Sequence, residues 1–201
     1  FCDPQYKGKI SMLVNPYDVI TVGLKYLGYS LSTVDTTQLE EAGKKLLEQR
    51  PLLRGYEDTT TIQNDLVSEK LWIGLTYTSV ALKDQNSNIK YVIPKEGVYL
   101  WFDNLCIPRD TPHKYTAEVF INYILEPQVS AEIANHIKYA NCNLSARPYT
   151  AKEILNDPGL YLPQELLKNC EFYRDTGTVE ERARRKQIIN KIWAELESSG
   201  E

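Results

Sequence analysis

No run of apolar residues in this chain approaches the ~20 that a membrane-spanning helix needs. Basic residues are in the minority, 23 Lys and Arg against 27 Asp and Glu, for a net charge of -4. That balance argues against a dedicated binder of phosphate backbones, so no nucleic-acid partner is expected. Histidine is scarce, with only His113 and His136, and neither lies near a cysteine in sequence. Cys2, Cys106, Cys142 and Cys170 are spread along the chain without a CxxC pair. Metal-site spacing is missing, and no metal is expected. An even cysteine count permits two disulfides in an oxidising compartment, with three pairings open; the plainer reading is four unpaired, mostly buried thiols. Catalytic signatures are absent as well: there is no P-loop, GxSxG elbow, GxGxxG fingerprint or HExxH. No cofactor is implied, and an enzyme is the weakest of the function classes.

What is present is an ordinary globular composition. The 201 residues are 42% hydrophobic and 25% charged, enough for one large domain or two small ones. The chain opens Phe1-Cys2-Asp3-Pro4, without an initiator Met or a signal-type hydrophobic stretch, and reads as a processed chain or a piece of a longer one. Tyrosine is the unusual entry in the composition. Fourteen Tyr with 3 Trp and 4 Phe point to amphipathic ring surfaces in a site or at an interface.

Strands and helices alternate in the first half. Lys9 to Val14 reads as a short apolar strand running into Asn15-Pro16-Tyr17-Asp18, a helix start. Asn15 suits the N-cap, Pro16 the first helical position, and Asp18 the third, where it can accept from freed backbone N–H groups. Gly28 closes that helix. Thr36 or Thr37 caps a second helix through about Gln49. Leu52 to Tyr56 is a strand, Thr60 to Ser68 a helix, and Trp72 to Thr76 and Tyr91 to Pro94 are further strands around a short helix near Tyr77 to Leu82. The alternation predicts α/β layers around a partly parallel sheet. Tyr99 to Ile107 reads as one apolar, aromatic strand interrupted by Asp103. Helices follow at Tyr115 to Leu125 and Pro127 to Ile137, then a Pro-rich segment from Pro148 to about Leu167, then Val179 to Leu196. The charge run from Glu180 to Lys186 is most simply a solvated face.

Asp103 stands out by its company, two positions from Trp101. A buried carboxylate there must be paired or hydrogen-bonded, and capping or an arginine partner is the plain role. The sharper role is recognition of an ammonium group, with the acid meeting the charge and the rings adding cation–π attraction.

Five segments carry a family resemblance: YKGKISML, the helix cap NPYD, YVIPKEGVYLWFDNLCIP, ILEP and NDPGLYLP. The chain resembles the periplasmic spermidine/putrescine-binding receptors of polyamine ABC importers, over essentially its whole length. The resemblance implies the α/β, two-lobed type II periplasmic binding fold, here as the second lobe plus the returning part of the first. It places lobe two at residues 1–98, the hinge crossing and returning lobe-one part at 99–140, and C-terminal helices packing mainly on lobe two at 141–201. It implies a polyamine ligand, ABC transporter membrane subunits as partners, a missing N-terminal lobe segment in the same or a separate chain, and a periplasmic or other extracytoplasmic location. The implied ligand contacts are Asn15 and Asp18, where the family carries Asp and Glu; Asp58, at or beside a serine; Tyr77 in place of Trp; Trp101 and Asp103, unchanged; Tyr139, a match; and Tyr173 in place of Gln. Two alternatives stand beside this: a receptor of the same fold for another cationic or small polar solute, and a half-receptor acting through a partner chain.

Overall fold

The computed structural model describes residues 3–77 and 88–199. They form two compact units. One runs through Leu100 and resumes at Glu165; the other is Trp101–Gln164. In chain order the helices are α1 (Pro16–Tyr26), α2 (Thr36–Gln49), α3 (Thr59–Val67), α4 (Lys114–Ile124), α5 (Pro127–Ile137), α6 (Lys152–Leu155), α7 (Gln164–Leu167) and α8 (Val179–Ser198).

The first unit is built on β1 (Ile10–Leu13), flanked by β2 (Leu53–Glu57) and β3 (Ile73–Gly74) in the order β2-β1-β3, both pairs parallel. Every residue of β1 is buried, as expected of a central strand covered on two faces. Ile10 and Met12 join one core with Val19, Ile20 and Leu24 of α1, Leu39, Ala42 and Leu46 of α2, and Ile189, Ile192 and Leu196 of α8. Helix α3 packs against β1 and β3 and brings Ile62 and Leu66 over Gly74. The crossover from β1 to β2 and the one from β2 to β3 run in opposite directions, so right-handed connections put α3 on the other face. Gly28 ends α1 with a φ of +76°, a conformation glycine adopts at no steric cost, while the Tyr29 N–H reaches back to the Leu24 carbonyl. A two-residue parallel pair, β4 (Tyr99–Leu100) with β5 (Glu171–Phe172), completes this unit.

The second unit is helical among the described residues. Helix α5 ends in a left-handed Lys138 and packs on the 3-10 turn Leu144–Tyr149. The Asn141 amide bonds the Ser130 carbonyl, and the Asn135 carbonyl oxygen accepts from the Ala151 N–H. Helix α4 buries no residue fully and exposes Tyr115, Val119, Phe120 and Tyr123. No helix among the described residues is long and apolar enough to cross a membrane.

Several expectations need correction. Residues 91–94 form no strand; Pro94 brings no N–H, and the chain turns at once through Gly97, whose N–H reaches the Pro94 carbonyl. Only Tyr99 and Leu100 of the expected 99–107 strand are paired, because β5 offers a ladder two residues long. Asp103 therefore lies on irregular, exposed chain rather than inside a strand. Residues 141–164 go with the second unit, held by Asn135, Asn141 and Tyr161, and only 165–199 join the first. Asp35 caps α2 in place of Thr36 or Thr37, because its carboxylate reaches two N–H groups. The described thiols are unpaired, but Cys106 and Cys142 are exposed and not buried. Residues 78–82 of the helix expected near Tyr77 to Leu82, and Cys2, lie outside the described residues.

Helices α1 and α2 touch through Gly23, where an added Cβ would stand 2.9 Å from the Ala42 carbonyl oxygen and 3.2 Å from Leu46 Cγ. Gly→Ala in an open helix gains ~1 kcal/mol. Here overpacking, worth ~1–3 kcal/mol, opposes the gain. Gly23→Ala is expected to lower the urea midpoint; a raised midpoint would show that the two helices do not approach this closely.

Candidate functional site

Parallel strands open their carboxyl ends on one edge, and three predicted residues follow from that. The chain leaving β1 delivers Asn15, whose side chain accepts the Tyr17 N–H and caps α1. The chain leaving β2 delivers Asp58, which caps α3 through the Thr60 and Thr61 N–H groups and takes the Thr61 hydroxyl on its second oxygen. The chain leaving β3 delivers Tyr77. Between β1 and β2 the outgoing helices depart to opposite faces, and in open α/β sheets the general ligand position lies outside the strand ends at such a point.

Asp18 occupies this edge on the first turn of α1. Its Oδ2 accepts the Tyr77 hydroxyl at 3.0 Å rather than a helix N–H. Burial pushes the Asp18 carboxyl above its ordinary value, and the Tyr77 hydrogen bond draws it part of the way back. Asp58 behaves oppositely: the Thr61 N–H and hydroxyl and the Thr60 N–H hold its exposed carboxyl below the usual range. Asp58 is thus a satisfied cap, whereas Asp18 is a half-desolvated acid facing an aromatic ring. Two polar atoms that sequence reasoning missed lie at the same strand ends. Among the described residues Thr76 Oγ1 and Glu57 Oε2 are buried without a hydrogen-bond partner, and the other Glu57 oxygen takes Arg54. Their places at the ends of the second and third strand segments were the available signal.

The other predicted residues lie elsewhere. Trp101, Asp103 and Tyr139 belong to the second unit, with Trp101 and Asp103 exposed and Tyr139 half-buried. Tyr173 follows β5 in the first unit, and the Arg185 guanidinium lies 5.1 Å from its ring centre. Arg185 in turn donates to the Leu31 and Thr33 carbonyls, so these contacts tie Tyr173 to the loop after α1 and not to the strand-end group. A separate depression of about 480 Å³ borders that loop, lined by residues such as Ser30, Ser32, Asp35 and Thr176. The Ser30 hydroxyl donates to Glu171 and the Thr176 hydroxyl to the Ser32 carbonyl, while the Ser32 hydroxyl accepts the Arg174 N–H and the Asp35 carboxylate the Thr37 N–H. Among the described residues no cluster of three or more His, Cys, Asp or Glu could hold a metal ion.

Residues 1–161 match the family model described as bacterial extracellular solute-binding protein. The chain is 29% identical over 197 residues to a putrescine-binding periplasmic protein of Pseudomonas aeruginosa, covering 94% of this chain and 52% of that one. It is 31% identical over 176 residues to a spermidine/putrescine-binding periplasmic protein of Escherichia coli, covering 87% and 50%. The chain thus spans about half the length of these curated relatives. A putative spermidine/putrescine ABC transporter structure from Listeria monocytogenes superposes with a TM-score of 0.84 at 30% identity, over 97% of this chain and 59% of that one. A spermidine/putrescine substrate-binding protein from Streptococcus pneumoniae superposes with 0.82 at 27% identity, over 98% and 60%. The fold is therefore part of the two-lobed periplasmic binding architecture, as expected.

The Asp18 environment makes a pH prediction. Its folded-state value is raised, so the folded chain binds the proton more tightly than the unfolded one. Above the raised value the buried charge costs stability; that cost fades as pH falls toward 3.8, the reverse of a salt-bridged Asp. The stability of Asp18→Asn relative to wild type should be greatest at neutral pH and shrink toward pH 4, measured by urea unfolding. Tyr77→Phe should raise the Asp18 value further, read by carboxyl NMR titration, and cost ~1 kcal/mol. An unmoved titration would mean that the hydroxyl is not bonded to the carboxylate.

Proposed function

The chain belongs to the bacterial extracellular solute-binding protein family, and we propose from this premise that it is the ligand-binding part of a polyamine receptor serving an ABC importer. The observation that carries the reading is the Asp18–Tyr77 pair at the carboxyl edge of the sheet. A polyamine presents ammonium groups separated by methylenes. Each ammonium needs a carboxylate that does not cost too much to keep desolvated, and each spacer needs apolar area. Asp18 is a half-buried acid with an aromatic hydroxyl beside it, and Asp103 two residues from Trp101 offers a second acid with a ring. The names of the relatives, putrescine-binding and spermidine/putrescine-binding, support the same ligand class. They describe binding proteins, in keeping with a site that holds a solute and transforms nothing.

In this reading Asp18 and Asp103 take the ammonium groups, Tyr77, Trp101 and Tyr139 wall the methylenes, Asn15 supplies a neutral carbonyl oxygen beside its capping bond, and Asp58 acts at longer range. Tyr173, with Arg185 on its ring, stands outside the strand-end group. The receptor works outside the cytoplasmic membrane and delivers its ligand to membrane subunits of the importer. A further polypeptide segment, in the same chain or a separate one, completes the first lobe; the exposed apolar side chains of α4 support a cover of this kind. One observation favours a second reading, a same-fold receptor for another cationic solute: Asn15 is uncharged and the Asp58 carboxylate is committed to its cap.

Calorimetric titration of the complete receptor with putrescine, spermidine and spermine decides between them. A polyamine should bind, and Asp103→Asn should weaken it by ~1.5–3 kcal/mol, as loss of a charged partner does. Affinity should also fall as pH drops through the raised Asp18 value, because the protonated acid no longer attracts an ammonium. Heat from none of the three amines would overturn the polyamine reading, and undiminished affinity in Asp103→Asn would remove Asp103 from the site.

A further inference from the structure

The first unit gives up its chain after Leu100 and recovers it at Glu165. The outgoing and returning segments lie side by side. Tyr99 pairs with Glu171 and Leu100 with Phe172, the Glu171 N–H donates to the Val98 carbonyl at 3.1 Å, and the Asn169 amide donates to the Lys95 carbonyl at 2.7 Å. At Gly97, with a φ of +87°, an added Cβ would stand 1.9 Å from the Asn169 carbonyl oxygen, so only glycine fits. A two-residue ladder is marginal alone and needs an outside support. Glu171 supplies it. Its Oε1 takes the Lys25 ammonium at 2.6 Å and its Oε2 the Ser30 hydroxyl at 2.7 Å. The lysine side chain is 12% exposed and the glutamate 30%, so solvent screens this pair less than a surface one. Burial raises the Glu171 carboxyl, but the Lys25 and Ser30 donors outweigh it and hold it below the usual range.

Lys25 stands in the last turn of α1, and Asp18 in its first. One rigid helix therefore joins the strand-end acid to the support of β4. Trp101 and Asp103 follow β4 directly in the chain. We propose that Glu171 is a positioning residue for ligand binding: by locking β4 and β5 to the end of α1 through Lys25 and Ser30, it fixes the chain at Leu100, the residue before Trp101. This rests on the polyamine reading above, since Trp101 and Asp103 matter only if they meet the ligand.

The test uses the complete receptor and two readouts, putrescine affinity by calorimetry and hydrogen exchange of the β4 and β5 amides without ligand. Glu171→Gln keeps the shape and removes the charge; Lys25→Met removes the partner; the exchange Lys25→Glu with Glu171→Lys restores the pair reversed. Each single variant should speed exchange across β4 and weaken putrescine binding about tenfold, within the usual range of coupling between sites. The reversed pair should recover most of both. A lowered melting temperature with unchanged affinity per folded molecule would make the pair merely stabilising and overturn the proposal, as would unaltered β4 exchange. Failure of wild type to bind any polyamine would instead defeat the functional reading, and the positioning role with it.

Discussion

Because β1 pairs in parallel with both β2 and β3, their carboxyl ends open on a single edge, and the local chemistry of the first unit is arranged by that constraint. Parallel strands cannot be joined by tight turns, so each must lead into a helix that returns along a face. Helices α1 and α3 therefore begin at this edge, and their first N–H groups need acceptors there. Asn15 and Asp58 meet that need. With caps provided, Asp18 in the first turn of α1 is released from capping and turns to Tyr77.

Electrostatic cost is distributed unevenly over the unit. Arg54, Glu57, Asp65 and Lys70 share one network on the α3 side, and Asp65 is held well below the ordinary carboxylate range by Arg54. Arg185 is nearly buried and spends its donors on the Leu31 and Thr33 carbonyls, with Tyr173 against its face. Those charges are paired and serve the fold. Asp18 differs: among the described residues it is desolvated and bonded by the Tyr77 hydroxyl rather than by a cation. In the polyamine reading, an arriving ammonium relieves the desolvation cost that Asp18 already carries.

Local signals in the sequence are legible. Asn15 and Pro16 announce α1 and Gly28 its end, since capping and left-handed geometry depend on a few adjacent residues. The apolar spacing of α1, α2, α5 and α8 announces their buried sides for the same reason. What escaped is what depends on a distant partner. The apolar run 99–107 has strand composition, yet a ladder exists only at Tyr99 and Leu100, where β5 faces it. Residues 141–164 look like part of the terminal helices until Asn135 and Asn141 are seen to hold them to α5. The same applies to the site. Asn15 and Asp18 were legible as a helix start, and the resemblance named Tyr77, but their meeting at the strand ends required the sheet. Tyr173 was named as a ligand contact, whereas its stack with Arg185 bridges residues that no local pattern connects.

The central claim is that a polyamine lies at the strand-end edge, against Asp18 and Tyr77. Intermolecular NOEs between isotope-labelled putrescine and the complete receptor test it most directly. The account predicts contacts from the ligand methylenes to the Tyr77 ring protons, with the Trp101 indole as a second contact. Contacts confined to the loop after α1, around Ser30 to Asp35, with none to Tyr77, would contradict it.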